Sequence, residues 1–75
     1  MTQTERHQEH WECLYGTKYL YKVEILKSLM DENEIPSVIV NKQDSAYLFG
    51  DIELYVKQDD ILRAQKILQS FLDDE

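Results

Sequence analysis

Several features that mark particular classes of protein are scarce in this sequence. It has one cysteine, Cys13, which cannot form an internal disulfide, so we expect a reducing, cytoplasmic setting. No apolar run approaches the roughly 18 residues of a membrane span. Residues 1–10 lack the apolar stretch of a secretory signal. The 75 residues predict one small domain, and we expect neither a disulfide scaffold, a membrane protein nor a multidomain enzyme.

Positive charge is also scarce, and it is scattered along the chain. Eight Lys and Arg residues stand against fifteen Asp and Glu residues, which gives a net charge of −7. Nucleic acids and anionic membrane surfaces are bound by clustered Lys and Arg. The sequence has no such cluster, so we expect no nucleic-acid partner and no membrane partner. Three acidic residues, 73–75, form an acidic C-terminal end that we place outside the domain.

The first ordered element is predicted at Trp11. Residues 1–10 have no apolar residue after the initial methionine, which is typical of a mobile tail. Residues 11–16 (WECLYG) alternate with a period of two, which predicts a strand. In this strand we expect Cys13 to face the core and Leu14 to face the other way.

The remaining pattern predicts two helices and two more strands. Apolar residues at helical spacing indicate helices over 18–33 and 60–72, the first capped by Thr17 and stopped before Pro36. The β-branched run at 37–42 and the clean alternation at 51–57 indicate strands. We expect the following residues of the last strand and of the two helices to face the core: Ile52, Leu54 and Val56; Tyr19, Val23, Leu26 and Met30; Ile61, Ala64, Leu68 and Phe71.

The order β-α-β-β-α predicts an α+β, ferredoxin-like two-layer sandwich over residues 11–72. Two helices should cover one face of a three-stranded antiparallel sheet, with the third strand between the first two. A full ferredoxin-like unit has a fourth strand, which would pair with the first. Because that strand is missing here, we expect residues 11–16 to form an exposed edge that the tail or a second molecule covers.

The sequence resembles a small bacterial family known as putative prokaryotic signal transducing protein, a domain of unknown function. The resemblance spans about residues 11–72, and it implies a ferredoxin-like fold close to the nitrogen-regulatory PII proteins. Nucleotide binding by long loops does not transfer, because this chain has only two glycines and no room for such a loop. Lys57 stands where the family often has proline. The matching residues are mostly packing and capping residues: Glu24, Leu26, Lys27, Leu29, Ile35, Pro36, Val56, Asp60, Arg63, Ala64, Ile67 and Leu68.

Three potential metal ligands lie at three-residue spacing, namely His7, His10 and Cys13. Imidazole and thiolate are good Zn²⁺ ligands. The spacing suits one face of a helix, however, whereas Cys13 lies in a predicted strand. The alternative is a tail with two solvated histidines and a buried cysteine that packs as a small hydrophobe. We expect no metal site, and a small metal-binding protein is the second hypothesis.

Two apolar groups are candidate partner surfaces. Tyr47, Leu48 and Phe49 lie in the predicted loop 43–50, where they either meet a partner or close over the core. Leu14, Ile39 and Tyr55 are expected on the sheet face away from the helices. That face is either an oligomer or partner surface with Trp11 at its edge, or an open face left in water.

Catalytic patterns are lacking. We find no Ser–His–Asp arrangement on predicted ordered elements and no Gly-rich phosphate loop. Asp59 and Asp60 are explained as helix caps, and a domain of this size leaves little room for a pocket. We therefore predict no catalytic residue and no cofactor. The first hypothesis is a non-enzymatic interaction or regulatory module that forms a homodimer or binds a protein partner.

Overall fold

A computed structural model of the chain describes residues 10–43 and 50–74. The described part is an α+β sandwich with a three-stranded antiparallel sheet, which confirms the predicted ferredoxin-like class. A single 3₁₀ turn, Gln58–Asp60, precedes the second helix. The elements are β1 (Trp11–Thr17), α1 (Leu20–Glu32), β2 (Ser37–Asn41), β3 (Ile52–Lys57) and α2 (Ile61–Asp73).

The centre of the sheet is β3, which lies between β1 and β2 as predicted. Its alternation is strict: Ile52, Leu54 and Val56 are at most 2% exposed, while the residues between them are half-buried. The even-numbered positions therefore face the helices and form the floor of the core. The helices contribute four more fully buried side chains to this cluster, and Ile35, in the connection between α1 and β2, completes it. The four helical residues are Val23, Leu26, Met30 and Ala64.

The first helix begins two residues later than the sequence predicts. Thr17 belongs to β1, and its hydroxyl accepts a hydrogen bond from the backbone N–H of Tyr19 at 3.3 Å. The hydroxyl thus holds the turn into α1 rather than capping the helix itself. The helix ends where expected: the Asn33 side chain donates to the carbonyl of Leu29 at 2.8 Å, and Glu34 adopts a left-handed φ of 59°.

The strand β1 contains a β-bulge that the sequence does not predict. Its register with β3 is regular from Trp11 to Cys13 and again from Tyr15 to Thr17, with a shift between Cys13 and Tyr15. A bulge adds one residue to one strand, so the side-chain alternation changes phase across it. Within the described residues β1 and β2 are the two edges of the sheet.

Candidate functional site

The sheet face that points away from both helices is the candidate site, here called the open face. The strand registers identify its members, because residues directly opposite each other share a face. Tyr55 lies between Cys13 on β1 and Val38 on β2, and Lys57 lies opposite Trp11. The open face consists of Trp11, Cys13, Gly16, Val38, Val40, Glu53, Tyr55 and Lys57.

Large apolar side chains on this face stay accessible. Trp11 is 40% exposed and Val38 is 44% exposed, while Tyr55 is half-buried. The ammonium group of Lys57 lies 5.8 Å from the centre of the Trp11 ring, within the range of a cation–π contact. The open face therefore combines an aromatic and aliphatic surface with charges at its rim.

Two residues predicted for this face lie elsewhere. Ile39 pairs with Leu54 and packs against the core, and Leu14 lies in the bulge and also packs against the core. The prediction that they join Tyr55 on the open face was wrong for both. The β-branched strand β2 carries apolar residues on both faces, so its pattern could not choose between them. In β1 the bulge reverses the alternation that the prediction assumed.

The same phase change moves Cys13 and Tyr15 to opposite faces. Cys13 is exposed on the open face rather than buried in the core, which corrects the prediction for this residue. Tyr15 instead faces the helices, where its ring meets Phe71 edge to face at 6.0 Å. Trp11 precedes the bulge and therefore shares the face of Cys13.

A compact polar network is centred on Glu53. The Tyr55 hydroxyl donates to Glu53 Oε1 at 2.8 Å, and the Lys42 ammonium lies 3.1 Å from the same oxygen. Hydrogen bonds from Tyr55 and then Lys42 lower the pKa of Glu53. Donation to the carboxylate raises the pKa of Tyr55, and the Glu53 hydrogen bond raises that of Lys42. At neutral pH the network is a neutral ion pair that holds the Tyr55 side chain in place.

The thiol of Cys13 is poorly suited to act as a nucleophile or a metal ligand. Partial desolvation by the neighbouring side chains, and after it the charge of Glu53, raises the pKa of the exposed Cys13 thiol, so the protonated form dominates at neutral pH. Among residues 10–43 and 50–74, no three His, Cys, Asp or Glu side chains are grouped to hold a metal ion. His10 lies beside the end of β1, where its carbonyl accepts the Gln58 N–H at 2.8 Å. His7, the third predicted ligand, lies outside the described residues.

The two ends of the predicted recognition loop are fixed to the fold. The Lys42 N–H donates to the carbonyl of Asp51 at 3.0 Å. The Lys18 ammonium reaches both the Gly50 carbonyl and the Asp51 carboxylate at 3.3 Å. These contacts extend the β2–β3 hairpin beyond its strands. The loop residues predicted to meet a partner lie outside the described residues: Tyr47, Leu48 and Phe49.

An open groove lies between the two helices, although we expected little room for a pocket. Its volume is about 800 Å³. Its apolar lining includes Ile25 and Leu29 from α1 and Ile67 and Phe71 from α2. The helical periodicity assigned Phe71 to the apolar stripe of α2, but it could not show that the apolar stripes of the two helices leave a groove between them.

Comparison of the sequence with models of known families identifies the family of this chain. The family model described as putative prokaryotic signal transducing protein matches residues 11–71. The chain belongs to this family. That result confirms the resemblance noted in the sequence. No curated protein and no solved structure shows a significant match. Neither of the helices in the described part of the chain is long and apolar enough to cross a membrane.

Membership of the putative prokaryotic signal transducing protein family rests here on residues that build the fold. Leu26 and Ala64 are fully buried and Ile35 is 1% exposed, while Arg63 pairs with Asp60 at 3.2 Å at the start of α2. These side chains pack in the core or form an ion pair at the start of α2, and Asp60 makes no side-chain cap hydrogen bond. The residues that identify the family therefore leave the surfaces of this chain undetermined.

Proposed function

We propose that this chain is a non-catalytic interaction module of a cytoplasmic signalling system, which acts through self-association and binding of a protein partner. The observation that carries the proposal is the uncovered sheet. In the described residues the helices bury one face, while the open face and both edge strands remain accessible. The family's name, which suggests signal transduction, supports the same general role.

The composition of the open face supports binding to a protein. The centres of protein interfaces are rich in Trp and Tyr and poor in unpaired charge. Trp11 and Tyr55 supply the aromatic surface, and Lys42 neutralises Glu53 beside it. A partner that covers this face would bury an ion pair that already has its hydrogen bonds, rather than isolated charges.

The chemistry of the same face supports a non-catalytic role. A nucleophile needs a lowered pKa or an adjacent base. Cys13 has a raised pKa, and its sulfur lies 3.7 Å from the backbone carbonyl of Tyr15. The carboxylate nearest in the network, Glu53, is already engaged by Tyr55 and Lys42.

The test of self-association is the solution mass, measured by light scattering over a dilution series. We expect a species larger than the 9.0 kDa chain that dissociates on dilution. Val38→Glu should lower the mass to that of one chain, because it places a charge on the uncovered sheet. Leu62→Glu is the matched control, since Leu62 is 73% exposed on α2 and far from the sheet surface in question.

Circular dichroism must show that both variants keep the wild-type fold. A wild-type mass of 9.0 kDa at every concentration would refute self-association. An equal loss of mass in Val38→Glu and Leu62→Glu would show that the uncovered sheet is not the contact.

A further inference from the structure

The two edge strands differ in their capacity to pair with another strand. The bulge in β1 interrupts its ladder, and Glu12 places a charge in the strand. Bulges and charges are devices that protect edges from pairing. The strand β2 has neither: its five residues pair with β3 in one unbroken register and none is charged.

Electrostatics also favours β2 as a contact between identical chains. Each chain carries a net charge of −7, so two copies repel each other. A homotypic contact is therefore least opposed where the surface is neutral. The strand Ser37–Asn41 is uncharged, and the next residue, Lys42, is paired with Glu53 at 3.1 Å.

The sequence of β2 is complementary to itself when it is reversed. Reading SVIVN in both directions gives a polar residue, a valine, the central isoleucine, a valine and a polar residue. We propose that β2 pairs antiparallel with β2 of a second copy, with Ile39 opposite Ile39 of that copy. This inference rests on the self-association proposed above and assigns it to one edge and one register.

In this register each face of the new pair matches in chemistry. Val38 and Val40 both lie on the open face, where each would meet the other valine of the second copy. Ile39 lies on the helix side and is only partly buried in a single chain, so its copy would extend the core across the contact. Cross-strand pairs of β-branched residues stabilise antiparallel sheets.

The polar ends of β2 provide a further argument. The Ser37 hydroxyl oxygen is buried and has no hydrogen-bond partner in the described structure. Buried hydroxyl groups usually have a partner. In the proposed register Ser37 lies opposite Asn41 of the second copy, on the same face. The Asn41 side-chain oxygen accepts a hydrogen bond from the Gln43 N–H at 2.9 Å. The side-chain NH₂ group of Asn41 can donate a hydrogen bond to the Ser37 hydroxyl oxygen of the other copy once that hydroxyl rotates toward it.

The proposed dimer would have a continuous six-stranded sheet with all four helices on one side. The open faces of the two copies would then join into one surface, and Tyr55 would remain accessible on it. Five residues a side is short compared with the roughly 20–30 of a standard interface. The dimer should therefore dissociate readily on dilution.

The test is disulfide trapping in a Cys13→Ser background. Val38→Cys and Val40→Cys chains are prepared separately, mixed and oxidised with diamide. Positions directly opposite each other have Cβ atoms about 4.5–5.5 Å apart, whereas diagonal positions lie about 7–8 Å apart. We expect a strong cross-linked band in the mixture and a much weaker band from either variant alone. A mixture of Val38→Cys with Leu62→Cys should give no more than the weak band of Val38→Cys alone.

Light scattering gives a second readout that separates the edge from the open face. Val40→Lys should reduce the mass to one chain of 9.0 kDa, whereas Tyr55→Glu should leave it doubled, because Tyr55 lies one strand inside the edge. A doubled wild-type mass without the 38–40 cross-link overturns the β2 assignment and leaves self-association standing. Loss of the dimer in Tyr55→Glu, with the fold intact by circular dichroism, also overturns it. A single-chain mass at every concentration overturns both.

Discussion

Gly50 should be highly sensitive to substitution: Gly50→Ala adds one methyl group and should strongly lower the free energy of unfolding. It joins the 43–50 loop to β3 with a φ of +88°, in the left-handed region that side chains rarely adopt. A Cβ atom at this position would lie 2.5 Å from the backbone oxygen of Lys42. That oxygen cannot move aside like the end of a side chain, because the Lys42 N–H is bonded to Asp51 across the hairpin.

The expected magnitude follows from these two effects. A non-glycine residue held in an unfavourable backbone region costs about 1–3 kcal/mol, and relief of the overlap with Lys42 adds to this. A small domain with a single core has roughly 3–5 kcal/mol of stability in total. Gly50→Ala should therefore remove about half of the free energy of unfolding or more. It should also loosen the end of the β2–β3 pair.

The other glycine supplies the matched control. A Cβ atom at Gly16 would lie 3.5 Å from an Asp51 carboxylate oxygen and 3.6 Å from Glu53 Cγ, which are ordinary contacts. The φ of Gly16 is not positive. Gly16→Ala should therefore be neutral or stabilise the protein by up to about 1 kcal/mol, through the unfolded chain.

The assay is urea unfolding followed by far-ultraviolet circular dichroism, with the three proteins compared at equal concentration. The midpoint should fall clearly for Gly50→Ala, and the slope with urea should stay the same. A Gly50→Ala midpoint at or above that of the wild type would show that the left-handed backbone and the overlap with Lys42 carry no cost. Equal losses of stability in the two alanine variants would show that the local geometry at Gly50 does not matter.

Two further predictions concern the core and the open face. Leu54→Ala should lower the free energy of unfolding by about 2–5 kcal/mol, because it opens a cavity at a fully buried position. Leu62→Ala, at an exposed position, should have little effect. Equal losses of stability in the two variants, measured by urea unfolding, would contradict this prediction. Tyr55→Phe removes the hydrogen bond from the Tyr55 hydroxyl, which is the main cause of the lowered pKa of Glu53. The pKa of the Glu53 carboxyl, measured by NMR titration, should therefore rise toward its ordinary value of 4.5. Because the folded-state pKa of Glu53 is lowered, its stabilising contribution is present above pH 4.5 and is lost as the pH falls through the folded-state value; a stability difference between wild type and Tyr55→Phe that stays constant through this range would contradict the assignment.

The strand pattern predicted β3 well and β1 only in part, for a physical reason. In β3 one face is fully buried, so Ile52 and Leu54 alternate strictly with polar or amphipathic residues. In β1 the bulge shifts the alternation between Cys13 and Tyr15, and a bulge of this kind leaves no mark in the letters WECLYG. The prediction for Leu14 therefore failed although the strand itself was found.

The candidate site was predictable only where polarity differed between the two faces of a strand. Tyr55 lies between Leu54 and Val56, so its outward orientation follows directly from the pattern. Ile39 lies between Val38 and Val40, and three adjacent β-branched residues give no preference for either face. Pairing with Leu54 decided its orientation, and that register depends on contacts distant in sequence.

The position of β3 at the centre of the sheet has a consequence for synthesis on the ribosome. Both strands that flank it come earlier in the chain, and in the sheet each pairs with β3 rather than with the other. Until residues 52–57 have emerged, β1 and β2 lack the strand that each pairs with in the native sheet, so their apolar side chains stay accessible to chaperones and to other nascent chains. The described sheet then closes around β3, the last of its three strands to be made, and folding of this small domain becomes a single late event rather than a gradual one.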